Sequence, residues 1–149
     1  MIDASTVDWR RLTDFATRLT YPAHGLACVV RGVPGGDGFL GHAGKAAQFF
    51  EIELSMAQAR PSFTRTFLHE LGHLVQGHCS RPIAEPGLTV YNFQYLGDAR
   101  IRKMAEDRHA LIEREAEQFA DVAQRELERQ LGAAWVDWPF VGTVAGNGA

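Results

Sequence analysis

Two side-chain patterns share one helical period between residues 63 and 77, and together they restrict the fold more than any other feature of the chain. Phe63, Phe67, Leu71, Leu74 and Val75 recur at helical spacing and form an apolar stripe. His69 and His73 are four residues apart, about 40° around a helix axis from each other, so both project from one face. That face lies opposite the stripe. Such a helix must bury one side in a core and offer its histidines to a second element on the other. Arg60-Pro61-Ser62 supplies a start for it.

Histidines at this spacing can share a metal ion. Glu70, beside them, cannot point at the same ligand position, but it can reach a water on that metal, as a general base in peptide hydrolysis must. The pattern His69-Glu70-Leu71-Gly72-His73 is HExxH. Average residue usage produces it by chance in roughly one chain in two hundred of this length, so its context has to carry the reading. A core histidine pair would lie within the apolar stripe; this pair forms a face of its own.

A catalytic zinc site needs a third protein ligand and one open position. Residues 98–131 read as a long helix, with Met104, Ile112, Ala116, Phe119, Ala120, Ala123, Leu127 and Leu131 among its periodic apolar positions, ending at Gly132. Glu113 is the most inward carboxylate of that helix, followed by Glu117 and Asp121. The competing reading of Glu113 is a boundary glutamate paired with Arg114 or Lys103. His109, one turn earlier, is a second candidate as ligand or supporting group. His78 projects away from His73 if the first helix continues that far, and Cys79 is a minor candidate ligand.

The remaining chain predicts an N-terminal helix over 5–20, capped by Ser5 with Asp8 and ended by Tyr21-Pro22. Strands follow at 26–33 and 48–54, with a short one at Phe39-Leu40 and a turn-rich run between. Phe50, Ile52 and Leu54 alternate with Glu51 and Glu53, which marks a strand with one wet face. The aromatic-containing stretch 80–97 reads as a long connection. With 149 residues, the chain suits a single domain over 1–149. Trp135 and Trp138 serve as anchors, and a small-residue tail from about 141 to 149 is expected to be mobile.

Hydrophobic residues make up 46% and charged residues 22%, which excludes disordered and fibrous classes. The net charge of −3 and the lack of a basic cluster interleaved with aromatics argue against direct nucleic-acid binding. No apolar run approaches a membrane span, and the N-terminus lacks a signal pattern, so no membrane partner and a cytoplasmic location are expected. Cys28 and Cys79 are too few for a disulfide scaffold and read as free thiols.

Two segments resemble the ImmA/IrrE family of zinc metallopeptidases, which belongs with the thermolysin-like gluzincins. Ser62-Phe63-Thr64 leading into Phe67-Leu68-His69-Glu70-Leu71-Gly72-His73 is similar to that family's RxxFTxAHELGH entry. Glu113-Arg114-Glu115-Ala116-Glu117-Gln118-Phe119-Ala120 is similar to its ExEANxFA helix. The resemblance implies an α+β, zincin-like metallopeptidase domain: an N-terminal helix, a small mostly antiparallel sheet, the HExxH helix and a long C-terminal ligand-bearing helix. By position it implies a zinc ion held by His69, His73 and Glu113, with Glu70 as general base.

Glu117 departs from the family's Asn or Asp, and the separation between His73 and Glu113 is longer than the family pattern suggests. A register with Glu117 as ligand and Asp121 in support therefore stays open. Tyr91, Tyr95, His109 and Arg114 are candidates for stabilising an oxyanion. The strand at 48–54 is a candidate edge for an extended peptide. The family implies a protein substrate of the helix-turn-helix repressor kind. The rival readings are a catalytically silent zincin-like regulatory binding module and a non-metallic helical protein with a chance motif.

Overall fold

A computed structural model of the chain describes residues 1–79 and 99–142. The expected connection at 80–97, with Tyr91 and Tyr95, and the tail beyond Gly142 lie outside these residues. The described chain is α+β, a three-stranded sheet with three α-helices. Among the described residues no helix is long and apolar enough to cross a membrane.

Helix α1 spans Trp9–His24 and buries Leu12, Ala16 and Thr20, one residue per turn. Its cap differs from the expectation. Ser5 sits in a short 3-10 turn, Ala4–Thr6, capped by Asp3, and the Asp8 carboxylate accepts from the Arg11 N–H at 3.0 Å to cap α1. The helix also outlasts Tyr21-Pro22. A proline in the last turn forfeits one hydrogen bond, whereas Gly25 at φ 72° supplies the left-handed stop.

Strands β1 (Cys28–Val33), β2 (Gly41–Lys45) and β3 (Phe50–Ser55) follow. Their order is β1-β3-β2, with β1 and β3 parallel and β2 and β3 antiparallel, so the expected mostly antiparallel sheet is mixed. The cause is topological. The chain returns as β2 one strand-width away from β1, and β3 turns back into the gap. Two expectations change with it. The strand at 48–54 is central and offers no edge, and the short strand expected at Phe39-Leu40 begins at Gly41 instead. The alternation in β3 holds: Phe50, Ile52 and Leu54 are buried, while Glu51 and Glu53 face outward and pair with the exposed Arg31.

Helices α1 and α2 (Arg60–Val75) pack on the apolar face of this sheet. Pro61 occupies the first turn of α2, where its missing N–H costs nothing. Phe63, Phe67, Leu68, Leu71 and Leu74 are fully buried. Against the other side of α2 lies α3 (Ala99–Leu131), 33 residues and therefore about 50 Å long. Ala116 and Ala120 are buried there, and Leu127 nearly so. Met104, expected in the apolar stripe, is exposed, as is Leu111, so the stripe is used only in the C-terminal part of the helix.

Beyond Gly132 a 3-10 stretch, Gly132–Asp137, turns the chain back across the core. Trp138 stacks edge-on against Phe15 at 4.9 Å, and the backbone of 139–141 bonds to residues 6 and 8. The anchoring role expected of Trp138 is observed; Trp135 packs at the rim.

Candidate metal centre

Gly72 sets the distance between α2 and α3, the helices that carry His69, His73 and Glu113. A Cβ at this position would lie 3.0 Å from Phe119 Cβ and 3.1 Å from the Ala116 carbonyl oxygen of α3, so only glycine admits this approach without a shift. Beside this contact the side chains meet. His69 and His73 stand edge to face with ring centroids 4.8 Å apart and Nε2 atoms 3.2 Å apart. Glu113 brings Oε2 to 3.0 Å from His69 Nε2 and Oε1 to 3.1 Å from His73 Nε2.

Two imidazole nitrogens and one carboxylate thus converge on a single point. Ligand atoms about 2.0–2.1 Å from a tetrahedral ion lie roughly 3.3 Å from one another, close to these separations. His69, His73 and Glu113 can hold a metal ion, and they form the one such group among the described residues.

The register with Glu117 as ligand is not the one observed. Glu117 Oε1 accepts from His69 Nδ1 at 2.6 Å, on the ring edge away from the cluster. Its other oxygen accepts from Arg65 at 2.8 Å, and Arg65 also donates to Asp121 at 2.7 Å and to Gln124 at 3.0 Å. Burial acts to raise the Glu117 pKa, but the bonds from Arg65 and His69 prevail and hold it below the ordinary carboxylate range. A carboxylate at Nδ1 keeps the proton there and frees Nε2 as a lone pair, the tautomer a ligand needs. Asp121 supports Arg65 rather than an ion.

His73 is buried, and burial pushes its pKa down to about 4, so the ring is neutral at physiological pH. Its Nδ1 lies 3.0 Å from Nδ1 of His78, whose Nε2 lies 3.0 Å from Glu115 Oε2. The reading of His78 as projecting away is therefore corrected. Helix α2 stops at Val75 and the chain folds back at Gly77, so the projection of a continued helix does not apply.

Glu70 is held between α2 and the start of β2. A Cβ on Gly41 would meet Thr66 Cγ2 at 2.5 Å and Glu70 Cγ at 3.4 Å, so glycine lets the strand pass close to these two side chains of α2. Burial, reinforced by the charge of Glu113 and opposed by His69, pushes the Glu70 carboxyl up to about 7. A carboxyl near neutrality in such a setting has the character of an acid-base catalyst.

Cys79 is not part of the cluster. Its thiol, pushed up to about 11 by burial and by Glu70, is directed at the Ala43 carbonyl at 3.6 Å. His109 is likewise outside the ligand group, Arg114 is exposed, and Lys103 pairs with Asp107 rather than Glu113. Sequence reasoning missed Gly41, His78 and Glu115. Gly77-His78 was a readable signal, because a glycine directly after a helix folds the next residue back. No family model, curated protein or solved structure matches the chain.

Proposed function

We propose that the protein is a zinc-dependent metalloendopeptidase of the ImmA/IrrE kind. The observation that carries this reading is the convergence of His69, His73 and Glu113 beside a half-buried carboxyl, Glu70, poised near neutrality. Two imidazoles and one carboxylate are the donor set of open, catalytic zinc sites. Zinc bound there supplies an acidified water and an electrophile for a peptide carbonyl.

The residues of the chain do the rest. Glu70 accepts the proton of the attacking water as the water oxygen bonds to the carbonyl carbon and the C=O π pair moves to the carbonyl oxygen. It then delivers that proton to the amide nitrogen as the C–N bond breaks. Glu117, braced by Arg65, keeps His69 in the ligand tautomer.

The edge strand β2 supports a mode of substrate binding. The Ser55 N–H donates to the Leu40 oxygen and the Ala46 N–H donates to the Phe49 oxygen, so Gly41, Ala43 and Lys45 turn their backbone groups away from β3. An extended peptide adding there would run past Glu70. The Cys79 thiol, which holds the Ala43 oxygen, would have to yield to it. The substrate suggested by the family resemblance is a regulatory protein of the helix-turn-helix repressor kind.

Glu70→Gln tests the reading. The variant keeps shape and metal and loses the base, so hydrolysis of a repressor substrate should fall by about 10²- to 10⁴-fold or more at unchanged zinc content. His73→Ala should lose metal and activity together. Wild-type rates in Glu70→Gln would sink the mechanism. A regulatory effect that survives in Glu70→Gln without cleavage would favour a binding module instead.

A further inference from the structure

The end of α2 is built in a way that the HExxH motif does not require. Gly77 adopts a left-handed conformation, φ 79°. The His78 N–H donates to the His73 oxygen at 3.0 Å, and the Gly77 N–H donates to the Leu74 oxygen at 3.2 Å. These are the paired bonds of a glycine-stopped helix, in which the residue after the glycine packs on the residue five before it. That contact is usually apolar. Here it joins two imidazoles, with ring centroids 5.2 Å apart, interplanar angle 66° and Nδ1 atoms 3.0 Å apart. His78 Nε2 in turn reaches Glu115 Oε2 on α3 at 3.0 Å.

Only one arrangement of protons satisfies this chain when both rings are neutral. The Glu115 carboxylate accepts and cannot donate, so His78 carries its proton on Nε2. His78 Nδ1 is then an acceptor, and His73 must donate from its own Nδ1. That leaves His73 Nε2 as a lone pair facing His69 and Glu113. His69 reaches the same tautomer by a shorter route, through Glu117.

We propose that His78 is a positioning residue for the metal ligand His73, completing a carboxylate–imidazole–imidazole relay from Glu115 that presets His73 Nε2 for the ion. The inference rests on the metal-site reading above. His78 is not a fourth ligand, because its ring meets His73 at Nδ1, on the side away from the cluster.

The test is zinc affinity of the full chain by competition with a chelating dye, together with the visible spectrum of the cobalt(II) form. Circular dichroism serves as the control for folding. His78→Phe keeps a packed ring and removes the acceptor; affinity should fall 10- to 100-fold, with a changed cobalt spectrum. His78→Gln, which keeps an acceptor and an N–H in one group, should recover most of the loss. Glu115→Ala, on a half-buried helix position that tolerates alanine, should weaken binding in the same direction and keeps the question answerable if the phenylalanine variant fails to fold.

Wild-type affinity in His78→Phe, or a loss in His78→Gln as large as in His78→Phe, would show a packing role and overturn the relay. Unchanged affinity in Glu115→Ala would overturn the part assigned to that carboxylate. A wild-type chain that binds no zinc would overturn the metal reading and the relay together. One zinc per chain with all variants unaffected would overturn the relay alone.

Discussion

Glu70 and His73 are neighbours whose burial acts on stability with opposite signs. The folded-state pKa of Glu70 is raised from 4.5 to about 7, so between these values the folded chain binds more protons than the unfolded one and loses stability as pH rises. His73 is lowered from 6.5 to about 4, so in that window the unfolded chain binds more protons and stability rises with pH. In the wild type the two trends offset each other. Glu70→Gln removes the first. With chelator present, this variant should match wild type near pH 4 and exceed it above pH 7, by at most on the order of 3 kcal/mol for a shift of this size. Denaturant melts at both pH values check it; a variant less stable than wild type at pH 8 would show that the ionised carboxylate is favourably placed.

At the scale of the elements, the site depends on how closely α2 and α3 approach. In Gly72→Ala the new methyl would press on Phe119 and the Ala116 carbonyl, and backbone cannot yield as a side-chain tip does. The helices should part by a few tenths of an ångström at the level where Glu113 meets the histidines. Zinc affinity should drop by about tenfold or more even though alanine raises helix propensity by roughly 1 kcal/mol. Isothermal titration of the variant measures this, and an undiminished affinity would mean that α3 adjusts freely.

Much of this was legible in the residues. The i, i+4 histidines and the opposed apolar stripe are local patterns, and the inward angle of Glu113 follows from one helix alone. The position of His78 was misread because the helix was extrapolated through Gly77, a left-handed stop. Gly41 and Glu115 act across elements, and no spacing within one element reveals such a partner.

Across the whole molecule, the alternation within β3 was readable while its place in the sheet was not. Alternation records which face is buried, and strand order is decided by where the chain turns back. The core is closed late in the sequence, by Trp138 and Phe140. Trp138→Ala should cost about 3–5 kcal/mol, since it empties a buried aromatic site against Phe15 and Phe67. Thermal melts should show it as a marked loss of midpoint.

The insertion of β3 between β1 and β2 also bears on the route of folding. The β2–β3 pair is joined by a short turn, 46–49, and closes a small loop, whereas β1 pairs with β3 across some twenty residues. Loop-closure entropy therefore favours the hairpin first, with β1 and α1 docking afterwards. Destabilising substitutions in the hairpin should slow refolding, while those in β1 should mainly speed unfolding, a division that stopped-flow chevron plots can read. The strand pairing beside Glu70 would then be among the earliest structure to form, and α2, with α3 behind it, would assemble onto a strand pair already in place.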